Sequence, residues 1–182
     1  MNRSFFAAAL LAVAFGTIAC GGGSTGSGSP NSAGSPAAAT PTASVSKGSA
    51  AGIHLELSGA PGAGTFDLNS SETCKFIKNS PNSMLSAGYK DTTSTKLAVV
   101  SIAVFTETNP PTFTFGAITG TITGPDVRNW DASTLTGVTG LGSGTASFQD
   151  LGVTAKLSIN AKTKEGYGVV VTVQCNKIER LG

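Results

Sequence analysis

Few side chains in this sequence suit chemistry, and their types and spacing narrow what that chemistry is. His54 is the only histidine, so a Ser-His-Asp triad or an imidazole-based zinc site must use it. Glu56 follows two residues later and shares a strand face with it, the start of a metal pair or simply the polar half of an amphipathic strand. Asp126 and Asp131 flank Arg128 and Trp130. Two carboxylates beside an aromatic ring suit glycoside hydrolysis. Trp130 is alternatively a sugar-stacking platform or partner anchor, or a ring folded onto its own sheet. Gly59-Ala60-Pro61-Gly62-Ala63-Gly64-Thr65 has the look of a phosphate loop, but no lysine stands between Gly64 and Thr65. A strand pattern follows it in place of a helix, so a hairpin turn is expected and no nucleotide. Gly140-Leu141-Gly142-Ser143-Gly144 fails likewise, with no helix start behind it. Asn69-Ser70-Ser71 fits a glycosylation acceptor only as a chance match.

Composition excludes further classes. Charged residues make up 12% of the chain, about half the ~25% of an average soluble protein. Net charge is +2, and Lys162 and Lys164, the tightest basic pair, read as a solvated loop. Such near-neutrality argues against a nucleic acid partner, which would need a clustered basic face. With 24 glycines and many Thr and Ser, the chain favours twisted β structure over helix.

Cys20 has the clearest context. Met1-Asn2-Arg3-Ser4 carries one positive charge, and residues 5–19 are almost wholly apolar. That run falls short of the ~20 residues of a spanning helix and leads into a Gly/Ser tract, as a secretory signal does. Its end, Thr17-Ile18-Ala19-Cys20-Gly21, resembles the lipobox of bacterial lipoproteins, with Thr17 where Leu is usual. The resemblance implies a signal peptide over 1–19 and acylation of Cys20 by palmitate-type chains. Two or more such chains hold a protein firmly to a membrane. Residues 20–51 are expected to be the lipidated Cys and a disordered Gly/Ser/Ala/Pro/Thr tether, reaching roughly 30 Å at ~5–6 Å per root residue. Without Arg3 the balance is 11 basic residues against 10 acidic. Export and an odd cysteine count leave Cys74 and Cys175 as one candidate disulfide.

The order of signal, Ser/Thr/Gly/Ala/Pro tether and small two-cysteine domain resembles the LpqH-like surface lipoprotein antigens of mycobacteria. One cysteine in a late apolar strand, Val171-Thr172-Val173-Gln174-Cys175, is part of that likeness. It implies a non-enzymatic surface protein with interaction or adhesion roles.

The elements that must position these residues are strands. Ile53-His54-Leu55-Glu56-Leu57 alternates apolar and polar, as do residues 153–160 and 167–175, the pattern of half-buried strands. Residues 65–68, 73–78 and, more weakly, 84–89 also read as strands. A short helix capped by Asn69, with Glu72 three residues on, is the alternative near 73. Residues 97–105, apolar except for Ser101, predict a central strand covered on both faces. Asn109-Pro110-Pro111 ends it, and a new strand runs from Thr112 toward Ile122. Residues 116–144 predict interrupted strands and loops. About seven or eight short strands without a helical period predict a single all-β domain over 52–182, an antiparallel β-sandwich or flattened barrel.

The function expected is a membrane-anchored, exported envelope lipoprotein of the cell membrane or outer membrane. Its β domain is non-catalytic, needs no cofactor or metal, and binds a surface protein or glycan partner through a loop holding Asp126, Arg128, Trp130 and Asp131. A polysaccharide hydrolase using Asp126 and Asp131, or a purely structural spacer domain, is the alternative.

Overall fold

The computed structural model describes residues 44–45, 47–78, 83–135, 137 and 141–182. All belong to one compact unit. The signal segment 1–19, Cys20 with its lipidation, most of the tether and Gly140 lie outside the described residues.

The described residues form eleven strands and no helix. They are β1 (Ala51–Ser58), β2 (Gly64–Ser70), β3 (Cys74–Ile77), β4 (Met84–Lys90), β5 (Leu97–Phe105), β6 (Thr112–Thr119), β7 (Arg128–Ser133), β8 (Ser143–Asp150), β9 (Ala155–Lys162), β10 (Gly168–Cys175) and β11 (Ile178–Leu181). Five make one sheet in the order β2-β1-β10-β9-β8, and six make the other, β11-β3-β4-β5-β6-β7. Every pair is antiparallel except β3 with β11. The sheets do not close into a barrel; the fold is a β-sandwich.

Alternation sets which side chains meet between the sheets. Ile53, Leu55 and Leu57, then Leu157 and Ile159, then Val169, Val171 and Val173 face inward from the first sheet. Leu85, Val100, Ile102, Val104, Phe113, Phe115 and Trp130 answer from the second. Burying each such side chain stabilises the fold by about 1.5–3 kcal/mol.

The strands of the two sheets cross steeply. β8 starts beside β7, where the Ser133 amide donates to the Leu141 carbonyl at 3.0 Å. It ends beside β11, where Arg180 donates to both carboxylate oxygens of Asp150. Because β7 and β11 are opposite edges, β8 traverses the whole second sheet. Eight residues at ~3.4 Å each cover about the width of six strands at ~4.8 Å spacing, so the packing is of the orthogonal kind. At the β11 side Phe76 stacks on Phe148 with centroids 5.9 Å apart, and Arg180 lies 5.2 Å over the Phe76 ring. Arg180 also holds the Asp150 carboxyl below its ordinary pKa.

Three strands depart from expectation: β7, β8 and β11. All three are edge strands, and an edge buries too little to show strong apolar alternation. β5 is central, between β4 and β6, but covered on one face only. Val100, Ile102 and Val104 are buried, whereas Ser101 is exposed and Val99, Ala103 and Phe105 are half-exposed. Residues 74–77 are strand, not helix.

Cys74 and Cys175 are bonded, with Cα atoms 6.0 Å apart, and join β3 of one sheet to β10 of the other. Both are fully buried, on the inward phase that the sequence predicts. The bridge closes a loop of 101 residues, for which chain entropy gives on the order of 4–5 kcal/mol. Non-reducing peptide mapping should recover the 74–175 pair. Reduction should lower the unfolding free energy from urea denaturation by an amount approaching that value, and two free thiols in the native protein would contradict the assignment.

Candidate functional site

Three connections meet at one corner of the sandwich: the β1–β2 turn, the β4–β5 loop and the β6–β7 loop. Between them lies an open cleft of about 760 Å³, within the ~300–1,000 Å³ typical of ligand sites. Gly62, Gly64, Phe66, Lys96, Asp126 and Arg128 are among its walls.

Local chemistry fixes each wall. In the β1–β2 turn the Ala63 amide donates to the Ala60 carbonyl at 3.1 Å. Gly62 has φ +84, and a Cβ there would stand 2.6 Å from Thr119 Oγ1, so only glycine lets the turn close on the end of β6. In the β4–β5 loop, Asp91 accepts from the Thr93 amide and hydroxyl at 2.9 and 2.7 Å. Ser94 Oγ accepts from the amides of Lys96 and Leu97, each at 3.2 Å, while the Lys96 carbonyl accepts from the Gly120 amide at 2.9 Å. The Lys96 backbone is thus pinned from both sides. In the β6–β7 loop Gly120 has φ +82, and a Cβ there would meet the Asp126 carbonyl at 2.5 Å. Asp126 Oδ2 accepts from the Thr121 amide at 3.4 Å, folding the carboxylate back on its own loop.

Beneath the cleft stands Trp130. It is not a loop residue: Arg128, Trp130 and Asp131 form β7, and Trp130 faces inward with 1% exposure. Its Nε1–H donates to Thr119 Oγ1 at 2.9 Å, and its ring tilts against Tyr167 with centroids 5.8 Å apart. The indole therefore packs into the corner between the sheets and is no sugar platform. Thr119 links it to Gly62, so the buried ring sets the height of the cleft floor.

The two carboxylates proposed for hydrolysis are not brought together. Asp126 borders the cleft. Asp131, next to inward-facing Trp130, points to the opposite face of the sheet and lies over Gly116, its register partner. Of the four expected binding residues, the cleft gathers Asp126 and Arg128. Lys96 joins them from the β4–β5 loop and Phe66 from β2, neither singled out as a binding residue in the sequence. Residues 59–63 make a turn between two strands, as expected.

A second polar constellation lies on the outward face of β1. His54 Nδ1 is 2.7 Å from Asp67 Oδ1, and Nε2 is 2.9 Å from Glu56 Oε1. Asp67 is directly opposite His54 in the β1–β2 register. Both ring nitrogens donate only when the imidazole is protonated. The hydrogen bonds to Asp67 first and Glu56 second raise its pKa above 6.5, against a smaller desolvation effect. An imidazolium held this way has no lone pair for a metal. Among the described residues, no group of three or more His, Cys, Asp or Glu is placed to hold one.

No protein-family model, curated protein or solved structure matches this chain at a significant level.

Two outcomes are expected. Trp130→Ala should cost about 3–5 kcal/mol, as large core truncations do. Trp130→Phe should cost about 1–2 kcal/mol through the lost Thr119 bond; chemical denaturation reads both. The His54 contribution is fully present below its unfolded pKa of 6.5 and is lost as pH rises through the higher folded value. His54→Gln should therefore destabilise the protein at about pH 5.5 and do little at about pH 9, and an equal effect at both pH values would contradict the ion-pair account.

Proposed function

We propose that this chain is an exported lipoprotein, anchored in the cell or outer membrane through Cys20, whose β domain is a non-catalytic binding module. The observation that carries the proposal is the corner cleft. It is concave, open, and held by loops fixed to rigid strands, the placement typical of binding sites. Asp126 has no second carboxylate facing it there, which disfavours the hydrolase alternative.

The ligand proposed is a glycan or surface protein of the envelope; the apolar segment, Ala19-Cys20 junction and Gly/Ser/Ala/Pro/Thr tether supply the address.

Cys20→Ala should move the protein from the membrane fraction to the soluble or secreted fraction, and intact mass should show acyl chains on the parent alone. The parent chain in detergent should cosediment with insoluble cell-wall polysaccharide. Gly64→Trp, which fills the cleft without demanding a positive φ, should lose that cosedimentation. Equal cosedimentation of both proteins would remove the cleft from the function.

A further inference from the structure

The walls of the cleft specify a charge and a shape. Lys96 approaches from the β4–β5 loop and Arg128 from the start of β7. The ion pairs among the described residues are His54 with Glu56, His54 with Asp67, and Arg180 with Asp150, so neither cleft cation is neutralised by a protein carboxylate. Asp126, the acid of the cleft, is turned toward its own loop: Oδ2 faces the Thr121 amide, and Oδ1 would lie 2.5 Å from a Cβ at Gly124. Two free cations beside one occupied carboxylate favour an anion.

Phe66 supplies the shape. On β2 it shares a face with Gly64, and a Cβ at Gly64 would meet Phe66 Cζ at 3.4 Å. Glycine leaves the ring tip uncovered and bordering the cleft. The Arg128 stem runs beside Gly62, its Cγ 3.9 Å from where a Cβ would stand, so this wall carries no side chain next to it. An apolar ring tip next to two cations suits a sugar ring bearing an acidic group. Sugar C–H groups meet the Phe66 tip, the guanidinium forks onto the carboxylate or phosphate, and Lys96 adds a point charge.

We infer that the cleft binds an acidic saccharide, one whose sugar carries a carboxylate or phosphate. This rests on the binding-module reading and deepens it. Uronate and phosphate-bearing polymers share the required chemistry, and the probes separate them.

The full chain in detergent is titrated by calorimetry with tetragalacturonate, phosphorylated maltotetraose and neutral maltotetraose. At least one acidic probe should bind ten-fold or more tighter than the neutral one, and the tighter of the two names the anion. The Lys96→Gln/Arg128→Gln protein should bind the acidic probes no better than maltotetraose. Raising salt from about 0.05 to 0.5 M should weaken acidic binding several-fold, as screening requires. Phe66→Ala should weaken all three probes, and Lys164→Gln, away from the cleft, should leave them unchanged. Unaltered thermal melting of each variant establishes that it is folded. Equal affinity for acidic and neutral probes, or full affinity in the double variant, overturns the acidic assignment while leaving cleft-dependent wall binding intact. No binding of any probe, with wall cosedimentation also insensitive to Gly64→Trp, overturns both.

Discussion

The burial of Trp130 is the interaction on which the working end of this domain depends. Two crossed sheets leave a wedge-shaped gap where the edge of one meets the strand ends of the other, and a large ring fills it. The indole carries one polar atom, which would be costly to bury unpaired. Thr119 Oγ1 accepts its N–H at 2.9 Å and so fixes the depth at which the ring sits. The same hydroxyl leaves no room for a side chain on Gly62. One buried hydrogen bond thereby ties the core to the β1–β2 turn.

β10 connects that corner to the far side. Tyr167, just ahead of the strand, touches Trp130; Cys175, its last residue, is bonded to Cys74 on β3. The strand therefore crosses the second sheet with a fixed contact at each end. Between them Val169, Val171 and Val173 are fully buried. Such a frame lets the three connections around the cleft be short and internally bonded. The Asp91 and Ser94 contacts and the Asp126 fold-back use side chains within a few residues, and the Gly62 turn a backbone bond, so the cleft is formed before a ligand arrives, which lowers the ordering cost of binding.

The sequence revealed the strands that bury a full face and concealed those that do not. β1, β9 and β10 alternate cleanly because their inward residues are Ile, Leu and Val against polar partners. β5 misled for the opposite reason: its outward Val99, Ala103 and Phe105 are as apolar as its inward residues, yet remain half-exposed. β7 carries Trp130 among Arg, Asn and Asp, and half of β8 is Ser, Gly and Thr. Neither has a period strong enough to be seen. The two cysteines were legible because each fell on the inward phase of a recognisable strand.

Asp126 and Arg128 were legible as candidate binding residues, but their grouping with Lys96 and Phe66 was not, because it depends on how the sheets cross. The His54–Asp67 contact had a usable signal: the two residues stand equally far from the centre of the 58–63 connection, so a regular hairpin closed there must place them opposite each other. Binding through the cleft requires the three connections to act as one surface. Amide hydrogen exchange of the full chain, with and without cell-wall polysaccharide, measures this. Added protection is expected only in residues 60–66, 94–96 and 120–128. Protection centred elsewhere, such as the outward face around Gly88 and Ser101, or none at saturating polysaccharide, would contradict it.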